Sequence, residues 1–101
     1  MWYTGYSSSA DIAQIGYATS TDGINWTKDS NNPVLSVGAS GSWDSDLVAN
    51  PAVIKDGSVY KMWYEASDAG KWLRIGYATS SVSLQDKFKN TEISLYLQED
   101  N

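Results

Sequence analysis

The sequence predicts an all-β chain built from a repeated strand pair, and three observations predict it. The first is self-similarity: Met1-Trp2-Tyr3 returns as Met62-Trp63-Tyr64, 61 residues on, and Ile15-Gly16-Tyr17-Ala18-Thr19-Ser20 returns as Ile75-Gly76-Tyr77-Ala78-Thr79-Ser80, 60 residues on. The second copy therefore has a loop one residue shorter, and a fixed period of this length marks a modular architecture. The second is composition, because Trp, Tyr, Ile and Thr favour strands, while the segments between the runs, 7–11 and 67–71, are made of Ser, Asp, Gly, Ala and one Lys, as hairpin loops are. The third is alternation. In Ile75-Gly76-Tyr77-Ala78-Thr79 the large residues point to one face and Gly76 and Ala78 to the other. A face of Gly and Ala lets a neighbouring sheet approach closely, and strands apolar on both faces are expected where a sheet is covered on both sides, as stacked propeller blades are.

At 101 residues the chain is one modest domain, long enough to bury a core, and a period near 60 divides it into about 1.7 repeats. Repeats of this kind cover their apolar faces only by stacking on neighbours, so fewer than two copies leave faces open. Twelve Asp plus Glu against 7 Lys plus Arg give a net charge of −5. Nucleic acid and anionic membrane surfaces are therefore not expected as partners, since both are bound through clustered Lys and Arg. The chain has no Cys and no His. It has no disulfide framework, no Ser-His-Asp or Cys-His triad and little means of holding zinc, and no cofactor or metal is expected. No run is apolar over the roughly 18 residues of a spanning helix, and Met1-Trp2-Tyr3 is not the basic opening of a signal peptide.

Taken in order, Met1 corresponds to Met62, which lies inside a repeat, so the strand that precedes Met62 has no counterpart before Met1. The chain is a fragment starting at an internal Met, or the strand is supplied from elsewhere; both imply an open sheet edge. After the first strand pair, Ser20-Thr21-Asp22-Gly23-Ile24-Asn25-Trp26 contains Asp-Gly, a strong turn signal in which Gly accepts positive φ and the carboxylate caps backbone N–H groups. It resembles the Asp-box turn of sialidase-type propellers shortened by one residue, which implies a structural role for Asp22. Trp26 would open an outer strand over 25–28 with its indole against the blade. Asn25-Trp26-Thr27 also fits the glycosylation acceptor pattern, a match frequent by chance. Residues 29–46, dense in Gly, Ser, Asn and Asp, read as a connection between sheets with Pro33-Val34-Leu35 as a short extended anchor. Residues 47–54 read as an apolar strand in which Pro51, lacking an N–H, implies an edge or a bulge, and Lys55-Asp56-Gly57-Ser58 turns it into the next.

The order Trp43-Asp44, Asn50-Pro51-Ala52-Val53-Ile54, Asp56-Gly57, Tyr60-Lys61-Met62-Trp63-Tyr64, Ile75-Gly76-Tyr77-Ala78-Thr79-Ser80 resembles the blade repeat of five-bladed β-propeller glycosidases, families 32, 43, 62, 68 and 130 of the glycoside hydrolases, over about residues 1–80. The resemblance implies antiparallel four-stranded blades: a partial first blade at 1–28 (strands two to four), an inter-blade loop at 29–46, a second blade at 47–80 (strands one to three) and a divergent tail at 81–101. It also implies that strand 47–54 is innermost and lines a central channel, where three carboxylates from different blades act in catalysis. Where several of those families carry Asp-Pro on an inner strand, this chain has Asn50-Pro51, and an amide neither takes nor gives a proton. With one inner strand, a single chain cannot set two carboxylates about 5–9.5 Å apart across a scissile bond.

The remaining carboxylates near the implied channel are Asp44 and Asp46, before the inner strand, and Glu65, at the end of the second. Against ligand contact stands loop capping for Asp44 and Asp46, and for Glu65 the fact that its repeat partner is Thr4, so the architecture does not require an acid there. Most of the Trp and Tyr residues recur at matched positions and read as packing. Tyr6 and Trp72, near loop ends, are the aromatics left for stacking on a sugar beside Asn50. In the tail, Ile93, Leu95 and Leu97 alternate with Ser94 and Tyr96 as in a strand, either an outer strand or a swapped arm. The expectation is a partial propeller module that assembles with copies of itself and binds carbohydrate, a cyclic trimer of about 1.7 repeats per chain closing a five-bladed ring. The other reading is a glycoside hydrolase, as a fragment or rebuilt by association.

Overall fold

A computed structural model describes residues 1–68, 73–81 and 88–97. The described chain is all-β, with strands β1 (Trp2–Ser7), β2 (Ile12–Thr19), β3 (Thr27–Lys28), β4 (Leu47–Asp56), β5 (Val59–Ser67), β6 (Leu73–Ser81) and β7 (Lys89–Leu97). They form one open mixed sheet in the order β1-β2-β4-β5-β6-β7, with β3 paired to β2. Neighbours are antiparallel except β2 and β4, which run parallel and share a single bridge, Ala13 to Leu47.

The repeat in the sequence is a repeat in the register. Trp2 faces Tyr17 and Tyr3 faces Gly16 across β1 and β2; Trp63 faces Tyr77 and Tyr64 faces Gly76 across β5 and β6. The small residue has a different task from the one its pattern suggested. The space above each glycine is filled by the tyrosine of the adjacent strand, not by a neighbouring sheet: a Cβ on Gly16 would lie 2.5 Å from Tyr3 Cζ, and one on Gly76 would lie 2.6 Å from Tyr64 Oη. Each ring thus lies flat across its partner strand.

The core forms where the two strand pairs meet. Ile15 of β2, Val48 of β4, and Met62 and Tyr64 of β5 are fully buried, joined by Val34, Leu35, Ala66, Ala78 and Phe88. Val34 and Leu35 enter because the connection pairs with β2: Ile15 N–H donates to Leu35 O at 3.1 Å and Leu35 N–H returns to Ile15 O at 3.2 Å. Asn32 continues that edge, accepting from Tyr17 N–H at 2.8 Å and donating to Tyr17 O at 3.0 Å. Pro51 falls in a bulge of β4, between Ala49 and Ala52, where the ladder to β5 is interrupted and no N–H is missed.

The Asp-Gly turn is held by its acid. Asp22 accepts from Asn25 N–H and Ile24 N–H, each at 2.8 Å, from Asn25 Nδ2 at 3.0 Å and from Ser20 Oγ at 2.9 Å, while Gly23 takes φ 75°. The strand after it is shorter than expected, Thr27–Lys28, and Trp26 remains 44% exposed, so the indole is only partly packed. These donors, led by the backbone N–H groups of Asn25 and Ile24, hold the Asp22 carboxyl far below its ordinary value of 3.8. A depressed carboxyl contributes stability that is complete above the unfolded value and is lost as pH falls through the folded one. Urea midpoints measured down the acid range should therefore fall less steeply for Asp22→Ala than for the parent protein; parallel slopes would show that the turn adds nothing.

Candidate functional site

Both strand pairs reach toward one residue of β4. Asn50 sits in the bulge with φ 53°, a left-handed conformation that asparagine tolerates better than most side chains. Freed from the ladder, its backbone N–H donates to Thr4 Oγ1 at 2.9 Å, and its Nδ2 donates to Glu65 Oε2 at 2.9 Å. The acceptor is a carboxylate, so the amide must present its NH₂ group to it. Thr4 and Glu65 are the same position of the repeat, 61 residues apart. Two copies of one strand therefore approach one asparagine from two sides, a hydroxyl from the first and a carboxylate from the second.

Tyr6 lies two residues beyond Thr4 on the same face of β1 and is 66% exposed. Its hydroxyl donates to Asp11 Oδ1 at 2.6 Å. That bond and the Asp11 charge, with a smaller contribution from the charge of Asp46, push the Tyr6 hydroxyl above its ordinary value of 10.0, so it stays protonated. Asp46 continues the β4–β5 pairing by one residue, its N–H donating to Ser67 O at 3.0 Å. The structure thus groups Tyr6, Asp46, Asn50 and Glu65 around the first half of β4.

Asp44 is employed differently. Its carboxylate accepts from Ser42 Oγ at 2.8 Å, its carbonyl accepts from Gly38 N–H at 2.9 Å, and a Cβ on Gly38 would collide with Asp44 Oδ1. These contacts close the loop, as the capping reading has it. Trp72 lies outside the described residues. Thr4 is the member that inspection of single residues misses; the signal for it was the repeat alignment, which sets it opposite Glu65. Among the described residues no group of three or more His, Cys, Asp or Glu is arranged to hold a metal ion.

The arrangement offers hydroxyl, amide and carboxylate groups beside an exposed aromatic ring, which suits a ligand rich in hydroxyls. A concavity of about 280 Å³ is lined by Tyr3, Gly5, Tyr6, Gln14, Asn32 and Pro33 among others, so Tyr6 borders it as well, whereas Asp46, Asn50 and Glu65 do not. Its rim is tied by Asn32 Nδ2, which donates to Tyr3 Oη at 3.0 Å.

No protein-family model matches the sequence. Two uncharacterized proteins of Mycobacterium tuberculosis, one from strain CDC 1551 / Oshkosh and one from strain ATCC 25618 / H37Rv, are similar to it, each 36% identical over 89 residues that cover 83% of this chain. The chain spans 28% of the length of each of these relatives.

Proposed function

We propose that this chain is a partial β-propeller module related to the five-bladed propeller glycosidases, that it assembles with other copies, and that it binds carbohydrate around Tyr6, Asp46, Asn50 and Glu65. The observation that carries the proposal is the meeting of Thr4 and Glu65 on Asn50. Equivalent positions of two repeats converging on the first half of the strand assigned as innermost is the placement a channel site in a propeller would have. The consecutive antiparallel strands β4 to β7 and the identical register of the two strand pairs support the blade reading.

Catalysis by one chain comes second. Asn50 occupies the place of a proton-transferring acid, and its amide is already committed to Glu65, an arrangement for orienting a ligand's hydroxyls more than for moving protons. The reading predicts that a panel of soluble oligosaccharides titrated into labelled protein will contain a sugar that shifts the amide signals of residues 6, 46, 50 and 65. Glu65→Gln should weaken its binding about tenfold, the scale of one charge-assisted hydrogen bond. A panel that leaves these four amides unmoved would sink the carbohydrate reading. Aryl glycoside hydrolysis by the parent protein, lost in Glu65→Gln, would instead establish the glycosidase.

A further inference from the structure

We propose that the concavity beside Tyr3 binds a small organic anion, a carboxylate carried on a ring, with Lys28 holding the carboxylate and Tyr3 lying against the body of the ligand. The site is separate from the group around Asn50, since none of Asp46, Asn50 and Glu65 lines it.

The register puts its side chains on one face. Residues directly opposite each other in an antiparallel pair point to the same side of the sheet, and so do alternate residues of one strand. Tyr3 stands opposite Gly16 and Gly5 opposite Gln14 across β1 and β2, while Lys28 of β3 stands opposite Ala18 on the other edge of β2. Gln14, Gly16 and Ala18 are alternate residues of β2, so Tyr3, Gln14 and Lys28 rise from the same surface. The floor is low because glycines form part of it. Tyr3 covers Gly16, but a Cβ on Gly5 would meet nothing nearer than 3.8 Å, and the depression of about 280 Å³ lies over that opening.

What the protein leaves unused in this concavity is donors. Asn32 is engaged throughout: its Oδ1 accepts from Tyr17 N–H, and its Nδ2 donates to Tyr17 O and to Tyr3 Oη. Because the Tyr3 oxygen accepts that bond, its own O–H is available to a ligand. Gln14 Oε1 accepts from Val37 N–H at 3.0 Å, which leaves the Gln14 NH₂ group. Lys28 takes no part in the ion pairs, which join Lys61 to Asp56 and Arg74 to Asp68. Among the described residues no Asp or Glu lines the concavity, and Asp29, next to Lys28 in the chain, accepts from Asn31 N–H at 3.0 Å. An ammonium, an amide NH₂ and a phenol O–H with no acid between them call for a ligand that brings acceptors and negative charge. The half-buried Tyr3 ring and Pro33 add apolar walls, which suit a ring better than a bare inorganic anion.

The experiment titrates sodium glucuronate and sodium benzoate into labelled protein and follows the amide signals, with glucose and benzyl alcohol as uncharged counterparts and inorganic phosphate as a bare anion. At least one carboxylate should give saturable shifts at Gly5, Gln14, Gly16 and Lys28, and the one that binds tells an acidic sugar from an aromatic acid. Its uncharged counterpart should bind at least about tenfold more weakly, the scale of a hydrogen bond to a charged group. Lys28→Gln should weaken binding by the same factor, and Lys28→Arg should keep it. Gly5→Leu should abolish binding by filling the floor. Far-UV circular dichroism checks that each variant keeps its fold; should Lys28→Gln lose it, Gly5→Leu and the uncharged counterparts decide. No saturable shift with either carboxylate would overturn the site. So would an uncharged counterpart or phosphate that binds as tightly, or affinity unchanged in folded Lys28→Gln or Gly5→Leu. Shifts confined to Asp46, Asn50 and Glu65 would overturn it too, by sending the ligand elsewhere. The oligosaccharide binding proposed around Asn50 depends on none of these outcomes.

Discussion

Replacing Tyr64 by alanine is expected to cost about 3–5 kcal/mol, the range for emptying a buried aromatic site. Tyr64 is 2% exposed, lies in the core shared by both strand pairs, stacks at 6.3 Å and 23° on Trp43 of the connecting loop, and covers Gly76. The atoms nearest to a Cβ on that glycine all belong to Tyr64, so truncation leaves a void on the hidden face of the sheet. A domain of this size has about 5–15 kcal/mol in total, so much of the population should be unfolded under mild denaturant. The molecule supplies its own control. Tyr3 lies over Gly16 in the same register, but its side is only half covered, and Tyr3→Ala should cost clearly less. Urea titrations followed by circular dichroism compare the two; equal losses would mean that cross-strand stacking, not core burial, sets the value.

Ile15→Ala should be nearly as severe, at about 2–5 kcal/mol. Ile15 is fully buried and belongs to β2, yet its neighbours in the core come from β4, β5, β6 and the connecting segment. Its backbone also exchanges two hydrogen bonds with Leu35. Removing the side chain therefore opens the seam between the strand pairs, where backbone pairing is limited to Ala13 and Leu47. The parent protein should unfold in one step by tryptophan fluorescence and by far-UV dichroism alike, because the shared core couples the halves. In Ile15→Ala the two probes should separate. Coincident, unshifted transitions would show that the halves are held together by something other than this core.

The strands were legible in the sequence because the signals are local: aromatic and branched runs, a period of two, and loops of small polar residues. The bulge at Asn50 was half legible, since Pro51 announces an interrupted ladder but says nothing of where the freed N–H goes. The role of the glycines was misjudged for a physical reason. Alternation tells which face a small residue occupies, and not whether the vacancy is filled from the next sheet or from the next strand; the tyrosine opposite decides that. The shortness of β3 was hidden too, because Asp22 gathers so many donors that the turn extends to Asn25. At the site, Asn50, Glu65, Asp46 and Tyr6 were recoverable as types near a strand end. Thr4 was visible only as the repeat counterpart of Glu65; its contact with Asn50, 46 positions away in the chain, is made by the folded seam alone.

The tyrosine-on-glycine pairs work as an indexing mechanism. Sliding β6 by one residue along β5 would turn Ile75 and Tyr77 toward the core, and sliding it by two would place Arg74 or Ala78 beneath the Tyr64 ring, where only a hydrogen atom fits. The pairing thus has one setting whatever the length of the hairpin tip. That freedom is why the two copies tolerate tips that differ by a residue while their strands still mesh at the same tooth.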